Sequence, residues 1–242
     1  MNRSATAQAA RKPLVWLHVV TSIGWMSQAL ALFTLMVYGH TTGDRRSAYT
    51  MAEVIDGHLL ASSSNAAAFT GIMLAALTPW GFFRHWWVLV KFAITLTQLY
   101  SGIFLLSPNL AAATEAAVQG RDRPVGPLAA GSLLMASAIA FQAWVSLAKP
   151  WRRTPWATRP GRPKALPTGP TWLYWFALGV PAVDYALGRL VGAQPIPLFE
   201  LLTVLVYPIW RYLRLHSGHR RPTWCDEAHV QGASTKTGVG QG

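Results

Sequence analysis

The residues that could do chemistry stand where apolar sequence rarely admits them. The uncharged run PLVWLHVVTSIGWMSQALALFTLMVY, residues 13–38, carries His18 near its start, and the run WWVLVKFAITLTQLY, residues 86–100, carries Lys91. Each lies about one helical turn inside its run, so at 1.5 Å of rise per residue both enter to a similar depth and can face each other. Trp25 follows His18 by two turns on the same helical face, with Ser22 between them. An imidazole there can ligate a metal or bond a neighbouring helix, and an ammonium can pair a carboxylate or reach back to the interface. A second cluster comprises Asp184, Arg189 and Glu200, for which an internal ion-pair set is the simplest account and a proton or cation path the sharper one. A charge at the centre of a bilayer costs at least about 2.5 kcal/mol, so each of these residues is a functional candidate.

The remaining histidines narrow the options. A haem held by two imidazoles needs them on facing helices at matched depth, whereas His40, His58, His85, His216, His219 and His229 fall at loops or in the tail. Only His85, at an inner turn, approaches the depth of His18. The tail string His216, His219, Cys225, His229 matches no metal-site spacing, so no metal site is expected. The single cysteine allows no internal disulfide. Phosphate-binding loops, dinucleotide fingerprints and the HExxH pattern are missing, and no nucleophile–base pair stands out.

The elements that hold these residues follow from composition. Hydrophobic residues make up 52% of the chain and charged ones 12%, about half the usual charged share, which places the chain among integral membrane proteins. The net charge of +12 lies in short clusters between apolar runs, which argues for membrane threading rather than nucleic acid as the partner. Six runs approach the roughly 20 residues that cross hydrocarbon: 14–38, 59–80, 86–106, 128–148, 171–190 and the short 196–212. The fold class expected is all-α, a polytopic transmembrane bundle. Its parts are a basic N-terminus (1–13), a four-helix unit (14–148), a basic Pro-rich loop (149–170), a two-helix hairpin (171–212) and a disordered tail (213–242). The stretch GHTTGDRRSAYTMAEVIDGH reads as a polar connection, and TPWGFFRH as a tight turn.

Threading follows from the basic residues. With the N-terminus inside, fifteen of the 21 Lys and Arg residues lie on the cytoplasmic side, which puts both termini there. Trp86, Trp87, Trp151, Trp156, Trp172 and Trp210 then fall near the inner interface. Within the bundle, Ala67, Gly71 and Ala75 form a small-residue stripe that lets helices approach closely. Gln28, Asn65, Gln98 and Gln142 place one carboxamide in each of the first four spans, either as interhelical glue or as the lining of a ligand cavity.

Two resemblances add to this reading. LHVVTSIGW, LMVYGH and WWVLVKFAITLTQLY resemble parts of the membrane-embedded, haem-dependent protoporphyrinogen oxidases of bacteria. That resemblance implies haem b as cofactor, with His18 as its ligand and Trp25 and Lys91 as the other carried-over positions. The chain departs from that pattern at Thr34, where the family has an arginine, at Gly39, which separates Tyr38 from His40, and at Tyr100, where the family has a histidine. The front half, with TGIMLAALTPWG before WWVLVKF, is more similar to a family of uncharacterised bacterial multi-pass membrane proteins, which implies no activity. The expected function is therefore that of a non-enzymatic accessory or interaction component of a bacterial inner membrane. Its expected partners are the bilayer and a membrane protein or a second copy of the chain. The alternatives are a porphyrin-oxidising enzyme using His18 and an ion- or proton-coupled transporter using Asp184 and Glu200.

Overall fold

The computed structural model describes residues 3–151, 153–158, 168–191 and 197–217, and among them every regular element is a helix. Helix α1 runs over Arg3–Thr42, α2 over Arg45–Ile55, α3 over Ala61–Leu77, α4 over Trp86–Ser101, α5 over Ser107–Val118 and α6 over Gly126–Ala148. Helices α7, Thr171–Val191, and α8, Leu198–Ser217, follow. Single π-helical turns, Asp56–Leu60 and Gly102–Leu106, join α2 to α3 and α4 to α5 without a break.

Four helical segments are long and apolar enough to cross a membrane: Gln8–Thr42, Arg45–Leu77, Trp86–Val118 and Gly126–Ala148. The apolar stretches of the first, third and fourth face mostly outward, whereas that of the second is 56% buried. Only 11% of the apolar window of the third segment is buried, and Leu134 and Leu147 of α6 are 70% and 86% exposed. Helix α7 has a comparable length, 21 residues, but Pro181, Asp184 and Arg189 dilute its apolar character.

Several boundaries differ from expectation. The stretch expected as a polar connection is mostly helix: α1 continues to Thr42, Gly43 turns the chain at φ +81°, and Asp44 caps α2 by accepting the Ser47 N–H at 3.4 Å. Helix α2 is amphipathic and buries Ala48, Tyr49 and Ala52, a pattern that a search for uninterrupted apolar runs passes over. The second long apolar segment therefore starts at Arg45 rather than 59, and the third extends through α5 to Val118 instead of ending near 106. The basic N-terminal segment is helical from Arg3, and α8 continues through residues 213–217. The rest of the expected disordered tail, most of the Pro-rich loop and the start of the sixth run lie outside the described residues.

The chain forms two compact units, Met1–Val204 and the portion from Leu205 onward. In the first, α1 is central and packs against α2, α3, α6 and α7. At one end α2 and α5 form a cap around Leu32, Met36, Tyr49, Leu110 and Leu128. Arg45 pairs with Asp122 across this end at 3.0 Å. At the opposite end Trp80 takes the Trp87 ring edge-on at 5.4 Å, with the Arg11 guanidinium over its face at 4.7 Å. Trp87 is buried against Ala75, Val88 and Val145, so it serves the core rather than an interfacial belt. Trp86, Trp151 and Trp172 remain exposed. In the second unit, Arg211 donates to the Tyr207 hydroxyl at 3.3 Å, one turn away on the same helix.

Close packing of α1 on α2 depends on Gly39. A Cβ there would lie 2.8 Å from the Tyr49 ring and 2.9 Å from the Ala48 Cβ, neither of which is a flexible chain end. Gly39→Ala is expected to cost about 1–3 kcal/mol and to lower the thermal unfolding midpoint of the detergent-purified protein. Gly126→Ala, with open space around the added methyl, should leave the midpoint nearly unchanged.

Candidate functional site

The small-residue stripe of α3 is the seat of His18. Its Nδ1 lies 3.0 Å from the Ala67 carbonyl oxygen and 3.1 Å from the Thr70 hydroxyl oxygen. Thr70 donates its own proton to the Ala66 carbonyl at 2.6 Å, so it meets the imidazole as an acceptor. Both neighbours of Nδ1 accept, which assigns the proton to Nδ1 and leaves a lone pair on Nε2. Gly71 permits the approach: a Cβ there would stand 3.0 Å from His18 Cε1. Trp25 belongs to the same side of α1, buried with Ala29, Ala67, Met135, Ala136 and Ile139, and its Nε1–H has no acceptor among the described residues.

Lys91 is near enough for its charge to act on the His18 imidazole, but its hydrogen bond goes to another helix. Its Nζ donates to the Ser146 hydroxyl on α6 at 2.5 Å, and Ser146 donates to the Gln142 carbonyl at 2.9 Å. One turn further along α4, Thr95 donates to Gln142 Oε1 at 3.0 Å. Gln142 Nε2 donates to Gln98 Oε1 at 2.7 Å, and Gln98 Nε2 donates to the Met135 carbonyl at 2.9 Å. Lys91, Thr95 and Gln98 recur at spacings of three and four, so one face of α4 carries a continuous polar ladder against α6. His18 and Lys91 thus bond to different helices, although both remain inside the first unit.

The other carboxamides divide. Gln28 on α1 accepts from Ser63 on α3 at 2.5 Å, which is interhelical bonding of the expected kind. Asn65 instead lines a small cleft with Ser62, Pro181, Asp184, Tyr185 and Glu200. Among the described residues the expected ion-pair set does not form. Asp184 and Glu200 come together, buried, but Arg189 is exposed and makes no ion pair among the described residues. The reason is helical geometry: five residues from Asp184 turn Arg189 through about 140° to another face. Asp184 accepts the Phe199 and Glu200 N–H groups at 3.1 and 2.8 Å, capping the first turn of α8.

His85 stands in the inner turn, its Nδ1 3.3 Å from the Trp80 carbonyl oxygen. Burial pushes its basicity below the usual imidazole range, and the Arg153 and Arg84 charges add to that. It bonds within the inner turn, whereas His18 bonds α3. The described residues contain no group of three or more His, Cys, Asp or Glu side chains placed to hold a metal ion.

Ser63, Thr70, Thr95 and Ser146, each of which bonds one of these residues across helices, were not singled out by sequence reasoning. Their signal was available as hydroxyls within apolar runs, but a hydroxyl that bonds its own preceding turn looks the same in sequence. No family model, curated protein or solved structure matches the chain, so the site rests on its own geometry.

The Gln98–Gln142 bond is open to a direct test. In a double-mutant cycle of Gln98→Leu and Gln142→Leu, the coupling energy for unfolding is expected at about 0.6 to 1.7 kcal/mol, the range for hydrogen bonds between membrane helices. Additive losses would show that the two side chains act independently.

Proposed function

We propose that this chain is a multi-pass protein of a bacterial inner membrane, with both termini in the cytoplasm, that acts as a non-enzymatic accessory or interaction component. The observation that carries the reading is the α4–α6 ladder. Its carboxamides and hydroxyls are spent on one another and on backbone carbonyls, as in a scaffold, while the Lys91 ammonium has one partner among the described residues, Ser146, and two further N–H donors. A partner helix or a second copy offering a carboxylate would complete it, at the inner end of the ladder. In this reading α7 and α8 complete six spans, and the basic start of α1 and the basic segments between α3 and α4 and after α6 face the cytoplasm.

Native gel electrophoresis of membranes solubilised in mild detergent is expected to show the protein in an assembly larger than the monomer. Lys91→Met should shift it toward the monomer without lowering its expression. A monomeric wild type, or turnover of a porphyrinogen by the purified protein alone, would overturn the reading.

One observation favours a second reading, haem ligation by His18. Its Nδ1–H bond to the Ala67 carbonyl fixes the tautomer that presents Nε2 to a metal, the arrangement common to ligating histidines. Haem would supply redox chemistry at that nitrogen. The visible spectrum of the purified protein decides: the scaffold reading expects no Soret band, whereas a band present in the wild type and lost in His18→Ala assigns the haem to His18.

A further inference from the structure

The cleft between α3, α7 and the start of α8 holds two carboxylates that no ion pair among the described residues balances. Asp184 and Glu200 are 4% and 5% exposed, and both line it. Asp184 is engaged through both carboxylate oxygens by backbone N–H groups. Glu200, in the first turn of α8, has its own N–H bound to Asp184, while its carboxylate receives no hydrogen bond among the described residues. A buried carboxylate without a donor, beside a second carboxylate, is unstable as a bare anion. The partial positive charge of a helix N-terminus, roughly half an elementary charge, offsets only about a quarter of the pair. Arg189, the one basic residue of α7, is on another face. The remaining lining residues add oxygen rather than positive charge: Asn65 contributes its carboxamide, Ser62 donates its proton to the His58 carbonyl and so turns lone pairs outward, and Tyr185 is the only other titratable group.

We propose that Asp184, Glu200 and Asn65 form a binding site for one monovalent cation, either a proton shared by the carboxyl pair or an alkali-metal ion. A single positive charge brings the pair and its helix N-terminus close to neutrality. A Ca²⁺ ion would ask for about six to eight oxygen ligands, more than this lining offers. The site is independent of the Lys91 ladder and stands whether or not Lys91 engages a partner.

The test is thermal unfolding of the full-length protein in detergent at constant ionic strength, with choline, lithium, sodium or potassium chloride, across the neutral pH range. If an alkali-metal ion occupies the site, the unfolding midpoint rises when that ion replaces choline, and Asn65→Ala reduces the rise. If a proton occupies it, the midpoint ignores the alkali ion and falls as pH rises, because the folded state gives up a proton that the unfolded chain has already lost. In either case Glu200→Gln, which keeps the shape of a neutral carboxyl, abolishes the response. Should that variant fail to fold, infrared difference spectra of the wild type serve instead. A protonated carboxyl carbonyl band that vanishes at alkaline pH supports the proton, and a carboxylate band displaced by sodium but not choline supports the metal ion. A wild type indifferent to alkali ions and pH alike, or a Glu200→Gln variant that keeps the full response, overturns the proposal.

Discussion

In the membrane proposed for this chain, a polar group surrounded by hydrocarbon has to find its hydrogen-bond partner within the protein, and this constraint organises the bundle. Water cannot stand in for a missing donor there, so each polar side chain of α1, α3, α4 and α6 acts as a fastener or carries a penalty. The ladder from Lys91 through Gln142 to Gln98 fixes α4 against α6, Ser63 and Gln28 fix α3 against α1, and the His18 imidazole fixes the same pair nearer the other end. The two contacts between α1 and α3 lie ten residues apart on α1, about 15 Å along the helix, and so restrain both its tilt and its rotation.

Small residues make those bonds reachable. Gly71 leaves space for the imidazole, and Gly39 lets α2 fold back against α1 with the Tyr49 ring between them. Lipid offers no hydrophobic drive for one helix to leave it for another, so association rests on such close approach together with the polar contacts it permits. This is why the apolar side chains that would fill the core of a soluble protein, among them Ile23, Leu96, Leu134 and Leu147, point outward here.

Much of this was legible in the sequence. The helical class, the stripe at Ala67, Gly71 and Ala75, the bonding of Gln28, Gln98 and Gln142, and the seclusion of Asp184 and Glu200 follow from apolar run length and from the rarity of polar groups inside such runs. The amphipathic cap was missed because α2 spreads its buried residues on a 3.6-residue period within a polar stretch, which a search for continuous apolar runs does not register. Partner choice was the other gap. Depth along the sequence put His18 level with Lys91, and the Lys91 charge does act on the imidazole, but their hydrogen bonds go to different helices, α3 for one and α6 for the other. Arg189 was misjudged for the same reason, since proximity in sequence placed it beside Asp184 while the helix turns it away.

Solvent accessibility of single cysteines in sealed membrane vesicles tests most directly the claim that hydrocarbon surrounds the bundle. In a Cys225→Ser background, Ile23→Cys and Leu134→Cys are expected to resist a water-soluble maleimide although both side chains are exposed on the protein surface. Lys12→Cys and Arg46→Cys should react, each from the opposite side of the membrane. Labelling of residues 23 and 134 as fast as residue 46 would place water where the account places lipid, and would contradict it.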